Sequence, residues 1–236
     1  MSIARTRRKL RNLVAKTEYY PSIARLMGQP FVGDLQQADL VLEAPPRSGN
    51  SFAEAILRLA FPDIRMVHHT HAAGVVVWAS KHKMSSIVLI RDPDENAIST
   101  LLERPDIYDW SLAFREWSDF YLSCESLKPR ITVCPFTTLV SDPMSLVRQT
   151  ETLLGRSSKI SVIDEEVSTR AMEIVDQLAM DRVNIRHTNY SPFVSDDEQA
   201  RRRERKEKLT NELAVLCIPE RRRAREIFVR WTGAAA

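Results

Sequence analysis

The chain has 236 residues, a net charge of +3, 44% apolar and 28% charged residues, which is enough for one α/β domain with a full core and excludes a disordered or fibrous chain. No apolar run approaches the roughly 18 to 20 residues that cross a bilayer. The basic start, Arg5-Thr6-Arg7-Arg8-Lys9, lacks the apolar core of a signal peptide, so a cytoplasmic protein is expected.

In chain order, residues 2–16 read as a basic amphipathic helix with Ile3, Leu10, Leu13 and Val14 among arginines. Such a helix either packs on the domain edge or allows peripheral contact with a membrane surface or an acidic partner. Pro30 and Gly33 mark a loop, which divides the chain into a basic helix and loop over 1–33 and an α/β domain with a helical C-terminal part over 34–236.

From residue 39 the pattern alternates: strand 39–44, helix 51–60, strand 65–69, helix 72–82, strand 86–91 and helix 93–103. Alternation of this kind predicts a mainly parallel sheet flanked by helices, with ligands at the carboxyl ends of the strands. A helix over 111–127, with Leu112, Trp117, Phe120, Tyr121 and Leu127 toward the core, and a strand over 131–136 follow. Asp142 as N-cap, Pro143 as first residue and Gly155 as stop delimit another helix. Beyond it lie a helix over 163–178, a polar loop over 184–192 and a charged helix over 196–215, whose run from Arg201 to Lys208 reads as a solvated face.

Three segments carry chemistry. The first is the turn Pro46-Arg47-Ser48-Gly49-Asn50-Ser51-Phe52 between the first strand and its helix, a geometry that aims backbone N–H groups and a helix dipole at an anion. Aligned on a nucleotide-binding loop that ends G-K-[ST], it has Asn50 at the lysine position, which disfavours ATP hydrolysis. The second is His68-His69-Thr70-His71 at the end of the second strand, where His69 and His71 would share one strand face. The third is Arg91-Asp92-Pro93 with Ser99 on the following helix.

This succession resembles the sulfotransferase family that uses 3′-phosphoadenosine 5′-phosphosulfate (PAPS), whose pattern has a P-K/R-S-G-[ST]-[ST]-W/F loop, a histidine after the second strand and R-[DN]-P-x-x-x-x-x-S. The resemblance covers residues 38–155. It implies transfer of a sulfuryl group to a hydroxyl of a carbohydrate or small-molecule acceptor, with His71 as general base and Arg47 beside the bridging oxygen. Ser48, Gly49, Asn50 and Ser51 would cradle the phosphosulfate, Arg91 and Ser99 would hold the 3′-phosphate, and Phe52 would stack on adenine. It implies neither a metal nor a nucleic-acid partner. With no carboxylate or cysteine at ligand spacing beside the histidines, and with Cys124, Cys134 and Cys217 scattered, no zinc site is expected.

One departure stands out. The family's late R-K-G loop is missing, and either Arg186 or the Arg201-Arg202-Arg203 group would have to close the cofactor site. Two other readings compete with the resemblance: a degenerate P-loop kinase or nucleotide hydrolase, and a non-catalytic protein that binds anions or nucleotides.

Overall fold

A computed structural model of the chain describes residues 11–26, 35–183 and 196–233. The protein is α/β, built on four parallel strands in the order β2-β1-β3-β4, with β1 Leu40–Glu43, β2 Met66–His68, β3 Ser86–Ile90 and β4 Thr132–Pro135. In β1 and β3 every residue is buried, as expected of strands covered on both faces. Their side chains alternate between two cores. Leu40, Leu42, Ile87 and Leu89 pack with Ile56, Leu57, Leu139, Leu146 and Val175 on one face. Val41, Val88 and Ile90 pack on the other with Val76, Phe114, Trp117, Tyr121 and Trp231.

The helices are α1 Tyr20–Leu26, α2 Asn50–Ala60, α3 Ala73–Lys81, α4 Pro93–Glu103, α5 Trp110–Cys124, α6 Phe136–Ser141, α7 Pro143–Leu154, α8 Glu165–Val183, α9 Asp196–Ala214 and α10 Pro219–Thr232. Of the expected starting helix, residues 11–14 are helical and the rest lies outside the described residues. Ala15, Tyr20 and Ala24 join the main core, and the Gly74 amide donates to Ala15 O at 2.7 Å, so the segment over 11–26 is packed on α3. Arg186 and the polar loop over 184–192 also lie outside the described residues. No helix among the described residues is long and apolar enough to cross a membrane.

Three local expectations need correction. β2 ends at His68; His69 (φ 57°) and His71 (φ 50°) are left-handed rather than two residues on one strand face. Asp142 occupies the N-cap position of α7 but makes no capping bond; its carboxylate pairs with Arg148 at 2.5 Å. α10 has no counterpart among the expected elements, although Ala224, Ile227, Phe228 and Trp231 recur at helical spacing between Pro219 and Gly233, and all but the partly buried Phe228 are buried.

Two arginines fasten α10 to the start of α4. Arg221 Nη2 lies 2.9 Å from Asp94 Oδ2 and its Nε 3.1 Å from Oδ1, Arg225 joins the same carboxylate, and Arg221 Nη1 donates to Leu213 O and Leu216 O at the end of α9. Burial would raise the Asp94 carboxyl, but the hydrogen bonds from Arg221 and Arg225 hold it below its ordinary value. Arg221→Ala is therefore expected to cost about 2 to 3 kcal/mol of unfolding free energy, since it strips hydrogen bonds from a mostly buried charge. A depressed carboxyl stabilises the fold above the ordinary pKa of about 4 and loses that contribution as pH falls through its lowered value. Urea unfolding at pH 7 and pH 3 checks both points: the penalty should shrink at the lower pH, and equal midpoints for variant and wild type at pH 7 would show the cluster to be inert.

Candidate functional site

In a parallel sheet of order 2-1-3-4 the chain reverses direction across the sheet between β1 and β3, and the loops leaving these two strands part to form a crevice. The loop after β1 carries Arg47 to Gly49, and the loop after β3 carries Arg91 and Asp92. The two candidate segments thus face each other because of strand order alone.

The β1 loop is tightly curled. Arg47 (φ 66°) and Gly49 (φ 97°) are both left-handed. A Cβ on Gly49 would lie 2.9 Å from Phe136 Cδ2 and 3.1 Å from Leu139 Cδ2, so both conformation and space call for glycine. Gly49 is the N-cap of α2 and supplies no side-chain cap.

The segment after β3 braces this loop. Arg91 Nη1 donates to Arg47 O at 2.9 Å, and its guanidinium stacks 4.4 Å from the Phe136 ring centroid. Asn96 Nδ2 donates to Pro46 O at 2.8 Å and to Ser48 Oγ at 3.1 Å. Arg47 Nε donates to Ser99 Oγ at 3.1 Å, with Glu103 Oε2 3.9 Å from its Nη1. Asp92 caps α4 through the amides of Asp94 and Glu95. Trp117 Nε1 and Tyr121 Oη in turn hold the carbonyls of Arg91 and Leu89. Asn96 is a residue that sequence reasoning missed; its position between Arg91 and Ser99 was the available signal.

On the β2 side, Glu43 is fully buried at the end of β1. Its carboxylate accepts from the amides of Thr70 at 2.8 Å and His71 at 2.9 Å. Burial outweighs these bonds and pushes its pKa up to about 7. His71 Nδ1 lies 2.9 Å from Ala44 O and, at the longer distance of 3.4 Å, from Asn50 Nδ2, so the contact with Ala44 O decides its tautomer. A carbonyl oxygen can only accept, so Nδ1 carries the hydrogen and Nε2 is the nitrogen with the lone pair.

A cleft of about 300 Å³ is lined by Arg47, Gly49, Asn50, Ser51, Phe52, His69 and His71, with Glu103, Arg104 and Tyr108 opposite. His71 also lines a smaller pocket of about 40 Å³ with Asn12, Lys16, Pro45, Glu116 and Asp119. Ser48, Arg91 and Ser99 do not line the cleft. Ser48 is fully buried, and Arg91 and Ser99 touch Arg47. Arg201, Arg202 and Arg203 lie on α9, which packs against α4, and none of them lines the cleft.

No protein-family model and no curated protein sequence matches the chain. Among solved structures the chain is similar to mouse sulfotransferase SULT7A1 complexed with PAP, at 15% identity and a TM-score of 0.47, over 88% of this chain and 91% of that one.

Proposed function

We propose that the protein is a sulfotransferase that carries a sulfuryl group from PAPS to a hydroxyl of a small-molecule or carbohydrate acceptor. The observation that supports this reading most is the setting of His71. Its Nδ1 faces Ala44 O at the root of the anion-type loop, which puts the lone pair on Nε2, and the residue lines both the large cleft and the small polar pocket.

On this reading the nucleotide lies in the large cleft, with its phosphosulfate against Arg47 and the amides at the start of α2, and the acceptor approaches from the small pocket. In transfer, the acceptor oxygen forms a bond to sulfur as the bond from sulfur to the phosphate oxygen breaks. The acceptor proton passes to His71 Nε2, and the charge left on the phosphate is met by Arg47 and the loop amides. Arg91, Asn96 and Ser99 hold Arg47 and its loop in shape before the ligand arrives, which lowers the cost of ordering them on binding. The lining of the small pocket, with Lys16 and Asp119 paired at 2.7 Å, suits a polar acceptor.

Calorimetric titration with 3′-phosphoadenosine 5′-phosphate tests the reading. Binding is expected without magnesium, and Arg47→Asn, which tolerates the left-handed φ of 66° at this position, should weaken it about 10- to 100-fold, the worth of a charged hydrogen bond of about 1.5 to 3 kcal/mol. Failure to bind, or a preference for magnesium-ATP, overturns the assignment.

A further inference from the structure

His68 and His69 have no carboxylate beside them in sequence; the fold brings one from α2. Glu54 is fully buried, and its Oε2 lies 3.3 Å from His68 Nδ1 and 3.3 Å from His69 Nδ1. The two imidazole nitrogens are 2.9 Å apart. Among the described residues this is the one group of three potential metal-ligating side chains, with ligand atoms within 4.8 Å of one another.

The spacing matches that of a metal face. Ligand atoms bound at about 2.0 Å to a tetrahedral ion stand about 3.3 Å apart, so an ion about 2 Å from all three atoms would sit just above their plane. Adjacent residues in extended backbone point to opposite faces. The left-handed His69 (φ 57°) breaks that alternation and turns both rings to one carboxylate oxygen, at an interplanar angle of 84°. A backbone conformation of this kind costs about 1 to 2 kcal/mol outside glycine, and the Glu43 carboxylate, which accepts from the next two amides, helps to hold it. Three such lone pairs, two imidazole nitrogens and a carboxylate oxygen, can share this space only around a proton or a cation.

The neighbours are those of a supported metal site. Arg58 Nε donates to the other carboxylate oxygen of Glu54, Oε1, at 2.9 Å. Ser51 Oγ lies 3.0 Å from His69 Nε2. With Nδ1 on a metal, the proton of His69 sits on Nε2 and donates to Ser51, which orients the serine hydroxyl in the first turn of α2.

We propose that Glu54, His68 and His69 form a binding site for a divalent cation of the zinc type, and that the ion is a positioning element which fixes His69 and Ser51 at the edge of the cleft. Two imidazoles and one carboxylate suit zinc, with a fourth position for water. The inference is independent of the sulfuryl-transfer reading.

The test uses the whole chain, stripped with a chelator and titrated with Zn²⁺ alone. One ion per chain is expected, with a rise in thermal midpoint as for any ligand that binds only the folded state. Cobalt in its place should give the intense visible bands of a four-coordinate ion. Binding should persist in His82→Ala/His187→Ala, which removes the histidines outside the His68–His71 segment, and vanish in Glu54→Gln and in His69→Asn, the latter chosen because asparagine tolerates a left-handed backbone. No zinc uptake by the wild type, weak six-coordinate cobalt bands, or uptake unchanged in Glu54→Gln and His69→Asn would overturn the proposal. The wild-type arms decide it even if a variant fails to fold.

Discussion

On the proposed function, His71→Asn is expected to lower sulfuryl transfer by about 10²- to 10⁴-fold, the usual worth of a general base, while leaving the affinity for 3′-phosphoadenosine 5′-phosphate unchanged. Asparagine is the informative replacement. It accepts the φ of 50° that His71 adopts, and its amide can donate to Ala44 O as Nδ1 does now at 2.9 Å. What it cannot do is present a basic nitrogen in place of Nε2. The loss should therefore fall on kcat, with nucleotide binding by calorimetry as the control. The acceptor for the assay is whichever member of a panel of hydroxyl compounds the wild type sulfates. A variant that turns over normally would move the base elsewhere in the cleft. His71→Ala is a poorer probe, because alanine resists the left-handed backbone and leaves Ala44 O without its donor.

The residues that were legible in the sequence are those whose role is local. The apolar runs of β1 and β3 announce doubly covered strands, Asp92 and Pro93 announce the start of α4, and Gly155 the end of α7. Only the resemblance puts Arg91 and Ser99 on one anion; in the fold α4 returns along the β1 loop, so that Ser99 accepts from Arg47 and Arg91 donates to the Arg47 carbonyl. Contacts set by tertiary placement were not legible. The turns at His69 and His71 depend on Glu43 and Glu54, carboxylates that look in sequence like a strand end and an exposed helix position, and both prove fully buried. Helix α10 was missed for a different reason. Its apolar stripe is present, but Arg221, Arg222, Arg223 and Arg225 give the segment the look of a solvated tail, whereas Arg221 and Arg225 are partners of Asp94.

Glu43→Gln should flatten the dependence of stability on pH between about 4.5 and 7, and so identify the carboxyl on which the His71 turn rests. In the native protein burial raises this group to about 7 from an ordinary value of 4.5. The native state therefore binds a proton that the unfolded chain releases across that window. Its contribution to stability is complete below the unfolded pKa and is lost as pH rises through the native one. At about 1.4 kcal/mol per unit, the loss approaches 3 kcal/mol between pH 4 and pH 8. Glutamine keeps an oxygen for one of the two amides, Thr70 N or His71 N, but turns an N–H toward the other, so the variant should also be less stable than wild type at pH 4 by about 1 to 3 kcal/mol. The two stability curves should converge as pH rises, because the wild type loses what the variant never had. Urea midpoints at half-unit pH steps read this directly. Parallel curves would mean that Glu43 titrates elsewhere, and that the amides of Thr70 and His71 are held by a carboxylate already ionised at the acid end of the range.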